Sequence, residues 1–153
     1  MEHSDELRRQ GRGLQRVGAS LLLLGLIVGL LVQRFSLPRL GLSTHLLGLM
    51  QGIFLMVVGV LWPTLRLGKW ASRAGGGLAV YGCLAAWTAN LFGAIWGAGG
   101  SMVPMASGGT QGTALQEGLI RVLLMSSAVS LIVAALLILW GLRGSVRPQT
   151  YTR

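Results

Sequence analysis

Apolar residues in this chain gather into four long stretches between charges. Residues 17–33 hold 17 uncharged positions, 40–65 hold 26, 74–116 hold 43 and 122–142 hold 21. A helix that crosses a membrane needs about 20 mainly apolar residues, so the first, second and fourth stretches each predict one. The third is long enough for two, but its second half, 97–116, is rich in Gly, Ser and Thr and contains Pro104. Unpaired backbone cannot face lipid, so that half predicts a loop that lies outside the membrane or lines a pocket. The pattern predicts helices at about 15–33, 44–62, 78–97 and 118–141. Together they make an all-α, integral-membrane four-helix bundle spanning 15–142. A polar basic tail, 1–14, precedes it and a second, 143–153, follows. The charge and polarity of residues 1–14 predict an unordered segment.

Composition agrees with this pattern. The 153 residues are 52% hydrophobic and 11% charged, with a mean hydropathy of +0.65. A soluble surface needs about 25% charged residues. The net charge of +9 raises the question of nucleic acid. However, the basic residues sit at the edges of apolar runs, with no basic stripe carrying interleaved aromatics, so no nucleic-acid partner is expected. Arg8, Arg9, Arg12, Arg16, Arg66, Lys69, Arg73, Arg143, Arg147 and Arg153 fall on one side of the predicted spans, and Arg34, Arg39 and Arg121 on the other. Ten against three predicts both termini on the cytoplasmic side of a bacterial-type cytoplasmic (inner) membrane. Trp62, Trp70, Trp96 and Trp140 lie near predicted helix ends, where interfacial tryptophans belong. The first apolar run ends in Gln33 and Arg34 without a small-residue cleavage site, so it reads as a retained helix. A single cysteine, Cys83, builds neither a disulfide framework nor a thiolate metal site.

Gly25 and Gly29, Gly48 and Gly52, and Gly93 and Gly97 form small-xxx-small pairs in three helices. Such pairs let helix backbones approach closely in lipid and predict a tight bundle or oligomer.

Few polar side chains lie inside the spans. His45 opens the second helix after Ser43 and Thr44, Gln51 follows six residues on, and Asn90 lies in the third helix between Trp87 and Trp96. An intramembrane polar residue marks a functional site by default. The second helix runs inward and the third outward, which sets Gln51 about 9 Å below His45 and Asn90 about 10 Å below Gly97, so the two amides are expected to share a depth one layer beneath His45. On a helical wheel His45, Gly48 and Gly52 share a stripe, with Gln51 about 120° away. A site between subunits would reconcile these directions, the glycine stripe seating a partner. Capping for His45 and interhelical hydrogen bonds for Gln51 and Asn90 are the simpler roles, taken residue by residue.

Several chemistries are excluded. The glycine-rich 97–112 segment lacks the Lys-Ser/Thr and the preceding strand of a phosphate loop. No carboxylate lies within a span, which removes paired-carboxylate catalysis and proton-relay pumping. Glu117 marks a helix start, where Arg121 is its i,i+4 neighbour. One histidine cannot hold zinc, but it can fill one axial position of a haem.

The run His45-Leu-Leu-Gly-Leu-Met-Gln51-Gly52-Ile-Phe-Leu, closed by Trp62-Pro63, resembles the hydroxylaminobenzene mutase family. So does Tyr81-Gly82 through Trp87 to Trp96-Gly97-Ala98-Gly99-Gly100-Ser101-Met102, followed by Gly112-Thr113-Ala114-Leu115-Gln116-Glu117. The likeness covers roughly residues 43–130. His45, an amide six residues on and Pro63 are also similar to styrene oxide isomerase, a more distant relative. The resemblance implies a membrane isomerase that moves the hydroxyl of an N-aryl hydroxylamine onto the ring. It further implies a homo-oligomer, a trimer by the isomerase's example, with haem b iron on His45 acting as a Lewis acid. Gln51 and Asn90 would hold substrate through hydrogen bonds, and Trp87 and Tyr81 would line the pocket for a small aromatic substrate. Arg34, Arg39 and Arg121 would pair with haem carboxylates, their simpler role being to snorkel to the interface. The isomerase has asparagine at the position of Gln51, tyrosine at Asn90 and asparagine at Ala86, so epoxide isomerisation is the secondary reading. A bundle that binds or transports apolar solutes, and a purely structural subunit, are the non-enzymatic ones.

Overall fold

The computed structural model describes residues 2–143. Among them are helices α1 (Glu2–Leu31), α2 (Pro38–Leu61), α3 (Lys69–Trp96), α4 (Pro104–Ser107) and α5 (Ala114–Gly141), with single 3-10 turns at Val32–Arg34 and Trp62–Thr64. No strand occurs among the described residues. The four long helices are each long and apolar enough to cross a membrane. Large apolar side chains such as Leu30, Val60, Val122 and Leu136 stand exposed along them. The chain is a multi-pass membrane protein. Arg147 and Arg153 of the basic C-terminal tail lie outside the described residues.

Each long helix starts earlier than the apolar pattern predicts. The largest difference is at the N-terminus, where residues 2–14 continue α1 instead of forming an unordered tail. Glu, Arg and Gln are good helix formers, and the extension is held by tertiary contacts. Leu7 and Leu14 are buried, Gln10 accepts a hydrogen bond from Trp62 Nε1 at 2.9 Å, and Arg73 Nε donates to Glu6 at 2.8 Å. α2 starts at Pro38, the favoured first helical position for proline. α5 starts at Ala114 behind a capping box. Thr113 accepts from the Gln116 backbone N–H, and the Gln116 side chain accepts from Thr113 N–H.

Two pairs of helices make the core. α1 and α2 run antiparallel at backbone contact, and the glycines there sit seven residues apart. An added Cβ on Gly11 would lie 2.5 Å from the Gly59 carbonyl oxygen, and one on Gly18 would lie 2.6 Å from that of Gly52. Seven further along each helix, Gly25 faces His45. The predicted stripe of Gly48 and Gly52 is therefore filled by α1 of the same chain, not by a partner subunit. Gly93 and Gly97 are not a packing pair. Gly93 abuts Leu40, whereas Gly97 terminates α3 at φ 70°, the left-handed conformation that favours glycine.

α5 packs chiefly on α3, with Leu131 over Gly82 and Leu137 near Gly75. α3 is thus central in the four-helix arrangement, flanked by the α1–α2 pair on one side and α5 on the other. Trp62 is fully buried and bonded to Gln10, so it is a core residue and not an interfacial one. Trp70 and Trp140 are exposed near helix ends, as interfacial tryptophans are.

Candidate functional site

His45 stands two turns into α2 with its ring laid on α1. Its Nδ1 lies 2.8 Å from the Gly25 carbonyl oxygen. A carbonyl can only accept, so Nδ1 carries the proton, and the lone pair is left on Nε2. The ring fits because Gly29 has no side chain: a Cβ there would fall 2.5 Å from Nδ1 and 2.8 Å from Cε1. Histidines that ligate metals are characteristically oriented in this way, with the far nitrogen donating to a carbonyl or carboxylate.

One turn further along α2, Gly48 is the meeting point of three helices. A Cβ there would lie 2.8 Å from Gly25 Cα and 2.9 Å from Trp87 Nε1. The Trp87 indole therefore reaches from α3 to the crossing of α1 and α2, beside the carbonyl that orients His45. Its N–H is buried and unpartnered. Gln51, the i+3 neighbour of Gly48, has a buried Oε1 that is also unpartnered. Positions three apart on a helix lie about 5–6 Å from each other, so the residue with the unused acceptor is a helix neighbour of the glycine that the unused donor touches. Buried polar atoms are nearly always bonded, which makes this pair exceptional. The predicted part for Trp87, lining the pocket of an aromatic substrate, leaves out its N–H, and residue type alone gave no sign that this donor is spare.

Asn90 stands elsewhere than predicted. Leu37 N–H donates to the Ala94 carbonyl at 3.2 Å, Leu40 abuts Gly93, and Gly48 faces Trp87. This register places Asn90 level with His45 and Gln51 level with residues near Cys83. The two amides are on the order of 10 Å apart along the helix axes and do not share a depth. The expectation failed because α2 begins at Pro38, six residues before the predicted start, which lowers Gln51 relative to α3. Asn90 is half-buried, and its Nδ2 donates to the Ala86 carbonyl of its own helix at 2.9 Å. Tyr81 lies six residues before Trp87 and about two-thirds of a helical turn away. Its hydroxyl meets Ser126 Oγ of α5 at 2.8 Å, so the structure sets it apart from the His45–Trp87 cluster.

Arg34 and Arg39 are exposed around the α1–α2 connection, and Arg121 is exposed two turns into α5. None of them forms an ion pair among the described residues, where Arg73–Glu6 is the ion pair found. Glu117 is not joined to Arg121. Its Oε1 accepts from the backbone N–H groups of Gly99 at 2.7 Å and Gly112 at 3.0 Å, and its Oε2 accepts from Ser101 Oγ at 2.7 Å. One carboxylate thus ties both ends of the 97–113 connection, whose helix α4 packs on α2. A hydrogen bond to a charged group contributes about 1.5–3 kcal/mol. Glu117→Ala is expected to cost at least about 3 kcal/mol and to free the connection, seen as rapid proteolysis between 99 and 112. Protease resistance equal to wild type would show that the carboxylate does not hold it.

The chain matches the styrene oxide isomerase family over residues 10–143. It is 49% identical to hydroxylaminobenzene mutase HabB of Ectopseudomonas oleovorans over 134 residues, covering 88% of this chain and 82% of that one. It is 38% identical to hydroxylaminobenzene mutase HabA of the same organism over 125 residues, covering 82% of this chain and 93% of that one. No solved structure matches it. The matched segment holds the glycine-seated histidine, the tryptophan and the glutamine just described, and the chain belongs to the styrene oxide isomerase family as an isomerase of the mutase kind.

Proposed function

We propose that this protein converts N-aryl hydroxylamines, hydroxylaminobenzene first among them, to aminophenols by moving the hydroxyl oxygen from nitrogen to a ring carbon. The proposed setting is the cytoplasmic membrane with both termini inside, as the arginine and lysine bias supports. The reaction is an isomerisation: the N–O bond breaks, a C–O bond forms, the ring carbon gives up its proton, and nitrogen gains one. No oxidant or reductant is required.

The observation that carries this reading is the seat of His45. Nδ1–H bonded to Gly25, and a ring filling the space where Gly29 lacks a Cβ, leave Nε2 as a fixed donor atom. These residues fit ferric haem b, which His45 would hold through Nε2, with Arg34, Arg39 and Arg121 as partners for its carboxylates. When bound, the group would supply a Lewis acid for the hydroxylamine oxygen. The chain's own residues do the rest. Trp87 Nε1–H donates to the migrating oxygen, Gln51 Oε1 accepts from the substrate N–H, and Asn90 offers its amide one layer outward. Leu21, Val28 and Leu55 belong to the buried apolar cluster that contains Trp87, and such dry surroundings exclude the water that would otherwise capture the ring cation.

Purified protein given hydroxylaminobenzene in H2-18O is expected to yield aminophenol carrying the substrate's own oxygen. Product labelled from solvent would overturn the intramolecular transfer, and absence of aminophenol would overturn the substrate assignment. Trp87→Phe keeps the ring and deletes the donor. Activity is expected to fall on the order of tenfold, the value of one hydrogen bond, while stability holds or rises because an unpartnered buried N–H is removed.

A further inference from the structure

At the end of the molecule where α1 and α3 begin, two clefts join end to end between these helices. The first, about 680 Å³, is lined by Glu2, Asp5, Glu6, Arg9, Lys69 and Arg73, together with Gln10. The second, about 480 Å³, shares Gln10 and Arg73 with it and is otherwise almost entirely apolar. It runs past Gly13, Val17 and Gly77 to Tyr81. A Cβ added to Gly13 or Gly77 would meet nothing within 4 Å, so the trough is open where a side chain would fill it. From Ser72 to Tyr81 it extends about 14 Å at 1.5 Å per residue, close to half of a hydrocarbon core about 30 Å thick.

The mouth holds both signs of charge. Glu6 is paired with Arg73, whereas Glu2, Asp5, Arg9 and Lys69 form no ion pair among the described residues. A cleft with spare carboxylates and spare cations, opening into an apolar trough one leaflet deep, complements a molecule with the same three parts. We infer that this groove binds one zwitterionic aminophospholipid of the adjoining leaflet. An acyl chain lies along Gly13, Val17 and Gly77, the phosphate meets Arg9 and Lys69, and the ammonium meets Glu2 and Asp5.

The test is native mass spectrometry of the full-length protein offered phosphatidylethanolamine and phosphatidylglycerol at equal concentration. Wild type is expected to retain one phosphatidylethanolamine per chain in preference to phosphatidylglycerol. In the Glu2→Gln/Asp5→Asn variant that preference is expected to fall by roughly fivefold for each charge removed. Gly77→Leu, whose Cβ meets nothing within 4 Å and whose branches occupy the trough, is expected to lose bound lipid. Equal or greater retention of phosphatidylglycerol by wild type, or undiminished lipid on Gly77→Leu, would overturn the inference. So would a change in the number of chains per particle on Gly77→Leu, which would make the groove a contact between copies of this chain.

Discussion

His45→Ala is expected to reduce mutase activity on the order of 10³-fold or more while leaving the protein folded in the membrane. The fold should survive because the ring is half-buried and makes a single hydrogen bond, worth about 1 kcal/mol. The activity should not survive if Nε2 holds the group that withdraws charge from the hydroxylamine oxygen. Such stabilisation supplies several kcal/mol, and each 1.4 kcal/mol or so is tenfold in rate. Gly29→Ala separates position from presence. It keeps the histidine but places a Cβ 2.5 Å from Nδ1, which forces the ring off its seat. Losing the group that orients a ligand typically weakens metal binding about 10–100-fold, and a deficit of that size, partly recovered by added haem, is the expected result. Gly29→Ala with wild-type activity and haem content would show that the seat is incidental.

The second large effect is on the α1–α2 seam. Gly52→Val is expected to unfold the protein or leave it severely destabilised, because its Cβ would meet the Gly18 carbonyl and the Leu22 backbone at 2.8 Å. Backbone atoms cannot rotate away, so the helices must separate. Overpacking a core costs about 1–3 kcal/mol even where side chains can yield, so this change belongs at or above the top of that range. Gly13→Ala is the control, since its Cβ meets nothing, and alanine is favoured over glycine in a helix by up to about 1 kcal/mol. The two substitutions should therefore differ in sign when unfolding is followed by detergent titration. Equal behaviour of both would mean that the seam does not hold these helices together.

These two effects also mark what was legible in the sequence. The four spans follow from runs without charge, because a buried charge is too costly in lipid to be placed casually. Their ends were less legible, since polar helix formers such as Glu6, Arg9 and Gln10 continue α1 without any apolar signal. That misplacement carried into the site, where a start at Pro38 moved Gln51 off the level of Asn90. Glycines were read at spacing four, but the seam runs at spacing seven through Gly11, Gly18 and Gly25, with His45 occupying the next place on the opposite helix. His45 was visible as a lone imidazole in a span. Its orientation was not, because the partner is a backbone carbonyl twenty residues away in sequence. The hold of Glu117 on Gly99, Ser101 and Gly112 was hidden for the same reason, as backbone donors have no signature in side-chain identity.

The most direct test of the central claim is the absorption spectrum of the purified protein, read beside its activity on hydroxylaminobenzene. A Soret band that tracks activity in the wild type, and is absent in His45→Ala, is the predicted result. Colourless wild-type protein with full mutase activity would contradict it.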